Sequence, residues 1–307
     1  MNEISSYLEV GVSFLKRHNV PDPDISALSL LAYVLEQPEL DVKMNPEIHL
    51  TCEQEEQFES LVIKRATRYP MQYLIKRISF RNAVLEIGEG CLIPRPETEL
   101  LIDVVLNKLV GAPPCGRPSN GAGKHGGPPL QVLEIGTGSG NIAVSLAMER
   151  SLWMFTATDI SEEALRYARK NSILNRTNHQ INFVKTDLFS GVNETFDAII
   201  SNPPYLKTED LISAQTELSF EPSIALDGGQ DGLSYYKRIL KIAKSALKPG
   251  GHIFFEVGYN QATDVVELMK PDFELIECVK DYAGYERIIS GCFTNDEAHN
   301  FSFTGRQ

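Results

Sequence analysis

Residues 131–147 constrain the fold more than any other stretch of this chain. Gln131-Val132-Leu133-Glu134-Ile135 is a short apolar run of the kind that forms a buried parallel strand. It runs into Gly136-Thr137-Gly138-Ser139-Gly140, and then into Asn141-Ile142-Ala143-Val144-Ser145-Leu146-Ala147, which reads as a helix. Strand, glycine turn and helix form the first crossover of a doubly wound α/β sheet. Three more apolar runs follow. Residues 154–158 end at Asp159, residues 181–186 at Asp187-Leu188-Phe189, and residues 196–201 at Asn202-Pro203-Pro204-Tyr205. In an open parallel sheet such ends share one edge, and ligands bind there.

Each strand end has its own chemistry. A dinucleotide fingerprint needs glycine at position 141, where Asn141 stands, and the lysine of a phosphate-cradling loop is missing. Glu134 followed by Gly-x-Gly-x-Gly is instead the spacing of S-adenosylmethionine binders, which seat an amino acid and a ribose. Asp159 is placed to accept hydrogen bonds from ribose hydroxyls; capping the helix that begins near Ser161 is the alternative. Asp187 can take an adenine amine while its apolar neighbour covers the ring. In Asn202-Pro203-Pro204-Tyr205 the prolines fix φ and cannot donate. The Asn202 oxygen can then accept one N–H of a planar NH2 group, an amide or an amino-purine, and a proline carbonyl the other. A plain proline-rich turn is the competing explanation.

Taken together, the chain resembles the class I methyltransferases, and among them the HemK-type release-factor glutamine methyltransferases. The resemblance extends from the N-terminal helices to about Cys292. It is carried by Pro70-Met71-Gln72-Tyr73-Leu74, Leu92-Ile93-Pro94-Arg95-Pro96-Glu97-Thr98-Glu99, the 134–140 turn, Asn202-Pro203-Pro204-Tyr205, and Phe220-Glu221-Pro222 with Ala225-Leu226 and Asp231-Gly232-Leu233. Asn-Pro-Pro-Tyr is shared with adenine-N6 DNA and some ribosomal RNA methyltransferases, whereas the Ile-Pro-Arg-Pro-Glu-Thr-Glu segment is particular to this family. The resemblance implies that Gly136, Thr137, Gly138, Ser139, Gly140 and Asp159 hold S-adenosylmethionine, with S-adenosylhomocysteine as product, that Asp187 and Leu188 flank its adenine, and that Asn202 also contacts the cofactor. It implies that Asn202, Pro203 and Tyr205 are catalytic, and that Pro204, Arg95, Glu97 and Thr98 join them against the substrate glutamine. The expected substrate is the Gly-Gly-Gln glutamine of class I release factors. Departures from the family pattern occur at Lys76-Arg77, Arg81-Asn82 and Leu188. A nucleic-acid amino-group methyltransferase and a non-catalytic cofactor-binding scaffold are the alternatives.

The chain of 307 residues accommodates two domains. The expected plan is a helical substrate-recognition domain over 1–75, a β-hairpin linker over 76–95 with its turn near Gly88-Glu89-Gly90, and a Rossmann-like methyltransferase domain over 96–293. A flexible Gly/Pro-rich loop is expected over 111–129, and a loose tail over 294–307. Asp and Glu number 41 against 29 Lys and Arg, a net charge of −12. That balance opposes gripping a phosphate backbone, although Lys64, Arg65, Arg68, Lys76, Arg77 and Arg81 form a local basic group, read as a solvated face. Five scattered cysteines in no CxxC spacing indicate neither zinc nor disulfides. With no signal peptide or bilayer-length apolar run, a cytoplasmic monomer without metal or membrane contact is expected. The chain also carries its own Gly228-Gly229-Gln230, read as a glycine turn; self-methylation at Gln230 is the remote alternative.

Overall fold

The computed structural model describes residues 3–111, 129–212 and 216–294. The expected 111–129 loop and the tail lie almost wholly outside them. By its internal contacts the chain divides into two compact units. One comprises Met1–Arg77, Ile87–Glu89 and Gln215–Phe220; the other comprises Ile78–Glu86, Gly90–Ala214 and Glu221–Gln307.

The first unit is helical: α1 (Ile4–Arg17), α2 (Pro23–Leu35), α3 (Glu39–Met44), α4 (Cys52–Ala66) and α5 (Met71–Ile75). α1, α2 and α4 are long enough for apolar periodicity to mark them in the sequence, and α3 and α5 are too short to carry such a signal. α4 starts at a capping box, in which Thr51 Oγ1 accepts from Gln54 N and Gln54 Oε1 accepts from Thr51 N. Gly11 of α1 lets the Phe58 ring of α4 approach so closely that a Cβ there would stand 3.1 Å from it. Arg65 is buried, and its guanidinium donates to the Tyr69 carbonyl at 3.0 Å. Glu217, on a 3-10 turn over Thr216–Phe220 of the same unit, holds Arg68 in a bidentate pair at 2.6 and 2.8 Å and lies 3.5 Å from Arg65. These two arginines are therefore not a solvated face, because the sequence pattern does not show the distant carboxylate that collects them.

The second unit opens with a two-stranded hairpin, β1 (Arg77–Phe80) and β2 (Ala83–Glu86). Its turn is Arg81-Asn82, with Arg81 in the left-handed region at φ +50°, and not the glycines near 88–90. Arg81 is fixed there by Glu149 and by Asp103 at 2.7 Å, while its N–H donates to Glu99. The free edge of β2 is satisfied by side chains. Asn171 and Asn175, one turn apart on α8 (Glu162–Leu174) and its C-cap, each both donate to and accept from the β2 backbone. Asn171 also donates to the Ser139 carbonyl at 2.9 Å, tying the glycine turn to the same scaffold.

The large sheet has the order β5-β4-β3-β6-β7-β9-β8. Its strands are β3 (Gln131–Ile135), β4 (Met154–Asp159), β5 (Ile181–Lys185), β6 (Phe196–Ser201), β7 (Leu247–Glu256), β8 (Phe273–Lys280) and β9 (Glu286–Phe293). β3 to β7 are mutually parallel, whereas β9 runs antiparallel to β7 and to β8. β6 is buried along its whole length, as expected for a central strand covered on both faces. One face packs against α6 (Thr98–Gly111) and α7 (Asn141–Glu149). The other packs against α10 (Ser234–Ala246) and α11 (Ala262–Met269), which follow the short α9 (Thr208–Ile212). β7 begins earlier than its apolar run: Leu247 pairs with Phe196, and pairing resumes at His252 opposite Ala198 after an irregularity that holds Pro249-Gly250-Gly251. The chain winds outward in both directions from the β3–β6 pair. The crevice of a doubly wound sheet therefore falls at their carboxyl ends.

Candidate active site

A cleft opens at that crevice. The carboxyl ends of β3, β4 and β6 and the segment after β5 line it with Gly136, Gly138, Asp159, Asp187, Leu188 and Asn202. A smaller adjoining recess is lined by Arg95, Thr98, Thr137, Ser139 and Asn202. Most of the residues singled out in the sequence thus converge, although they span over a hundred positions.

The β3 side is built from backbone. Gly136 (φ +74°) and Gly138 (φ +55°) have open space where a Cβ would stand, so bare main chain faces the cleft. Asp159 secures that turn: Oδ2 accepts from Gly138 N and Oδ1 from Ser161 N, both at 2.9 Å. Ser161 caps α8, accepting from Ala164 N. The capping alternative for Asp159 thus falls to its neighbour, and the Asp159 carboxylate stays at the cleft edge. Burial pushes its pKa upward against those hydrogen bonds. Glu134 lies beneath the turn, fully buried, accepting from Thr137 Oγ1 at 2.8 Å and Ala143 N at 3.1 Å. Among the described residues its Oε1 has no partner, and desolvation raises its pKa to about 8. Gly140 (φ +81°) does not face the cleft, since its Cα packs against Ala168 of α8, where a Cβ would meet the backbone at 3.2 Å.

At the β5 end, Asp187 is exposed and paired with Arg238 at 2.6 Å. Leu188 adopts φ +56°, and its carbonyl accepts the Thr158 hydroxyl. A non-glycine residue held in the left-handed region at a cleft is overdetermined by its surroundings.

The β6 side is built from side chains. Asn202 Nδ2 donates to Thr98 Oγ1 at 3.2 Å, which leaves Oδ1 available to accept. The 202–205 loop is braced from behind. Leu206 exchanges backbone bonds with Leu226 and Gly228, and Gln261 Nε2 donates to the Tyr205 carbonyl at 2.9 Å. Gly228 passes so close that a Cβ would lie 2.8 Å from the Pro204 carbonyl, so the Gly-Gly-Gln tripeptide is accounted for as packing, with Gln230 exposed. Tyr205 is packed against the second core with its hydroxyl pKa raised by burial to about 12, and does not line the cleft. Arg95 is held by Glu221 at 2.5 Å, and Glu221 also accepts from Ile93 N. Glu97 is exposed at the start of α6.

Sequence reasoning overlooked Glu256, the last residue of β7. It is 1% exposed, next to Thr98 and Asn202. Its signal was the one used for Asp159 and Asn202: a polar residue ending an apolar run, here Ile253-Phe254-Phe255-Glu256.

A sequence model of the PrmC N-terminal domain matches residues 6–75, and one of the methyltransferase small domain matches residues 128–220. A release factor glutamine methyltransferase of Fusobacterium nucleatum is 33% identical over 91% of this chain and 76% of its own length. The chain belongs to the release factor glutamine methyltransferase family. Proteins of the same name from Thermodesulfovibrio yellowstonii (37% identity, 80% of this chain and 83% of that one) and Agrobacterium fabrum (30%, 94% and 96%) agree. A solved methyltransferase from Pyrococcus furiosus shares the fold, with a TM-score of 0.51 at 21% identity over 71% of this chain and 92% of that one. The methyl donor of a class I member of this family is S-adenosylmethionine. Among the described residues no helix is long and apolar enough to cross a membrane, and no group of His, Cys, Asp or Glu is arranged to hold a metal.

Proposed function

We propose that this chain methylates the side-chain amide nitrogen of a glutamine in class I peptide chain release factors, within their Gly-Gly-Gln motif. The observation that carries the reading is the Asn202 amide, held at the cleft by Thr98 with its oxygen free. The cleft fits the donor: bare glycine backbone at Gly136 and Gly138 for its amino-acid end, Asp159 for ribose hydroxyls, and Asp187 with Leu188 beside the adenine. When bound, S-adenosylmethionine supplies an electrophilic methyl carbon whose bond to sulfur breaks, with its electron pair, as the new N–C bond forms.

The work of the chain itself is orientation. An amide nitrogen is a poor nucleophile because its lone pair is delocalised into the carbonyl. Asn202 Oδ1 and the Pro203 carbonyl accept the two N–H groups, while Pro204 and Tyr205 shape the loop behind them. Those N–H groups grow more acidic as the nitrogen gives up its lone pair, so both acceptors bind more strongly in the transition state than in the ground state. The amide then releases one proton to solvent. Arg95, Glu97 and Thr98 form the neighbouring wall of the substrate site.

A protein substrate is favoured over a nucleic acid because Arg65, Arg68 and Arg81 are each committed to carboxylates within a chain of net charge −12. We assign helical residues 1–75 to release-factor recognition and residues 96–293 to catalysis, and expect a monomer. The test offers release factor, its Gln→Ala loop variant, DNA and ribosomal RNA with labelled donor. Label should enter the intact release factor alone. Equal labelling of the Gln→Ala variant, or labelling of nucleic acid, would overturn the reading.

A further inference from the structure

Register makes Asn202 and Glu256 neighbours, since Ser201 pairs with Phe255 and each is the next residue along its parallel strand. Side chains alternate along a strand, so Glu256 shares the face of Phe254, which packs with Leu101, Ile102 and Val105 of α6. Thr98, the first residue of that helix, is 1% exposed beside it. The Glu256 carboxyl has the Thr98 hydroxyl and the Asn202 amide as its hydrogen-bonding neighbours, and among the described residues its Oε2 has no partner. Asn202 Nδ2 donates to Thr98 Oγ1, so the Thr98 hydrogen is free for the carboxylate. An ionised carboxylate only accepts. It therefore draws the Asn202 NH2 toward itself and Thr98, and leaves the Asn202 oxygen facing the cleft.

We propose that Glu256 is the positioning residue of the acceptor site, locking the Asn202 amide with its oxygen toward the substrate. This inference rests on the reading that Asn202 accepts from the substrate amide. With its amide reversed, Asn202 would present N–H to N–H, and the substrate nitrogen would lose an acceptor. Glu256 itself stands behind Asn202 and is not among the residues lining the cleft.

Charge at this position depends on pH. Burial lifts the Glu256 pKa to about 7, with Thr98 and Asn202 hydrogen bonds and Arg287 of β9 opposing and Glu97, just before α6, reinforcing the rise. Tyr205 also faces it, and Tyr236 of α10 donates its hydroxyl to the Glu256 carbonyl at 2.8 Å. Once protonated, Glu256 becomes a donor and competes with the Asn202 NH2. Productive orientation is thus lost as pH falls through about 7.

The experiment compares wild type, Glu256→Gln and Asn202→Ala with release factor as substrate. Glu256→Gln should lower kcat about 10- to 100-fold, with KM for release factor and cofactor Kd moving less than about threefold. In 15N-labelled wild type the Asn202 side-chain NH2 signals should shift with a midpoint near pH 7, and in Glu256→Gln they should not. Full kcat in Glu256→Gln alongside an inactive Asn202→Ala would sink the positioning role alone, whereas a fully active Asn202→Ala would sink it together with the clamp. If Glu256→Gln does not fold, Thr98→Val and the wild-type titration decide: unchanged kcat in the former, or NH2 signals indifferent to pH in the latter, overturns the inference.

Discussion

The two walls of the cleft are made differently. On the β3 side the surface facing the cleft is backbone: Gly136 and Gly138 are bare, and the side chains of Thr137 and Glu134 turn inward to each other. On the β6 side it is side chain: Asn202, Thr98 behind it, and a loop braced by Gln261 and the 226–228 segment. A backbone wall suits a ligand that is the same in every turnover, because its shape is set by φ and ψ. A side-chain wall suits a chemical step, because one amide group can be aimed. The difference teaches that damage should separate: the β6 wall should govern kcat, and the β3 wall should govern cofactor binding and stability.

The sharpest break of that contrast is Asn202→Ala. It should lower kcat on the order of 100- to 1000-fold, as removal of one transition-state partner does elsewhere, with little change in cofactor Kd by calorimetry. A large loss of cofactor binding would merge the two walls. Next comes Asp159→Ala, expected to weaken cofactor binding about 10- to 100-fold by loss of charged hydrogen bonds, with kcat at saturating donor far less affected. An unchanged Kd would remove Asp159 from the ribose role. Gly140→Ala should act on folding alone: the left-handed backbone costs about 1–2 kcal/mol for a residue with a Cβ, and the contact with Ala168 adds to it. Chemical denaturation should show that loss, and an undiminished midpoint would mean that α7 and α8 adjust freely.

A separate readout is a pH slope. Glu134 has a folded pKa of about 8 against an ordinary 4.5. Between those values the folded chain keeps a proton that the unfolded chain has released, so stability falls as pH rises across the window. Glu134→Gln should flatten that part of the melting-temperature profile. A wild-type slope preserved in the variant would place the proton elsewhere, Glu256 being the next buried carboxyl with a raised pKa.

Local patterns in the chain were enough to read the parallel strands, the glycine turn and the strand-end residues, because a buried strand is apolar throughout and each polar interruption at its end stands out. Helices α1, α2 and α4 show themselves by a different signal, the recurrence of apolar residues along one helix face. The hairpin turn was not: Arg81 takes a positive φ that arginine does not advertise, held by Glu149 and Asp103 far along the chain. The basic group around Arg65 and Arg68 was misjudged because its partner, Glu217, lies about 150 positions away.

By itself the sequence determined which residues end the strands, and hence the α/β class, the donor and the family. Only the tertiary structure decided what those residues touch. Register of β6 against β7 brought Glu256 behind Asn202, packing of α6 supplied Thr98, and α8 supplied the asparagines that replace a missing strand. The physical reason is range. Propensity and periodicity act over a few residues, whereas burying an amide or a carboxylate requires partners that the chain must bring from elsewhere.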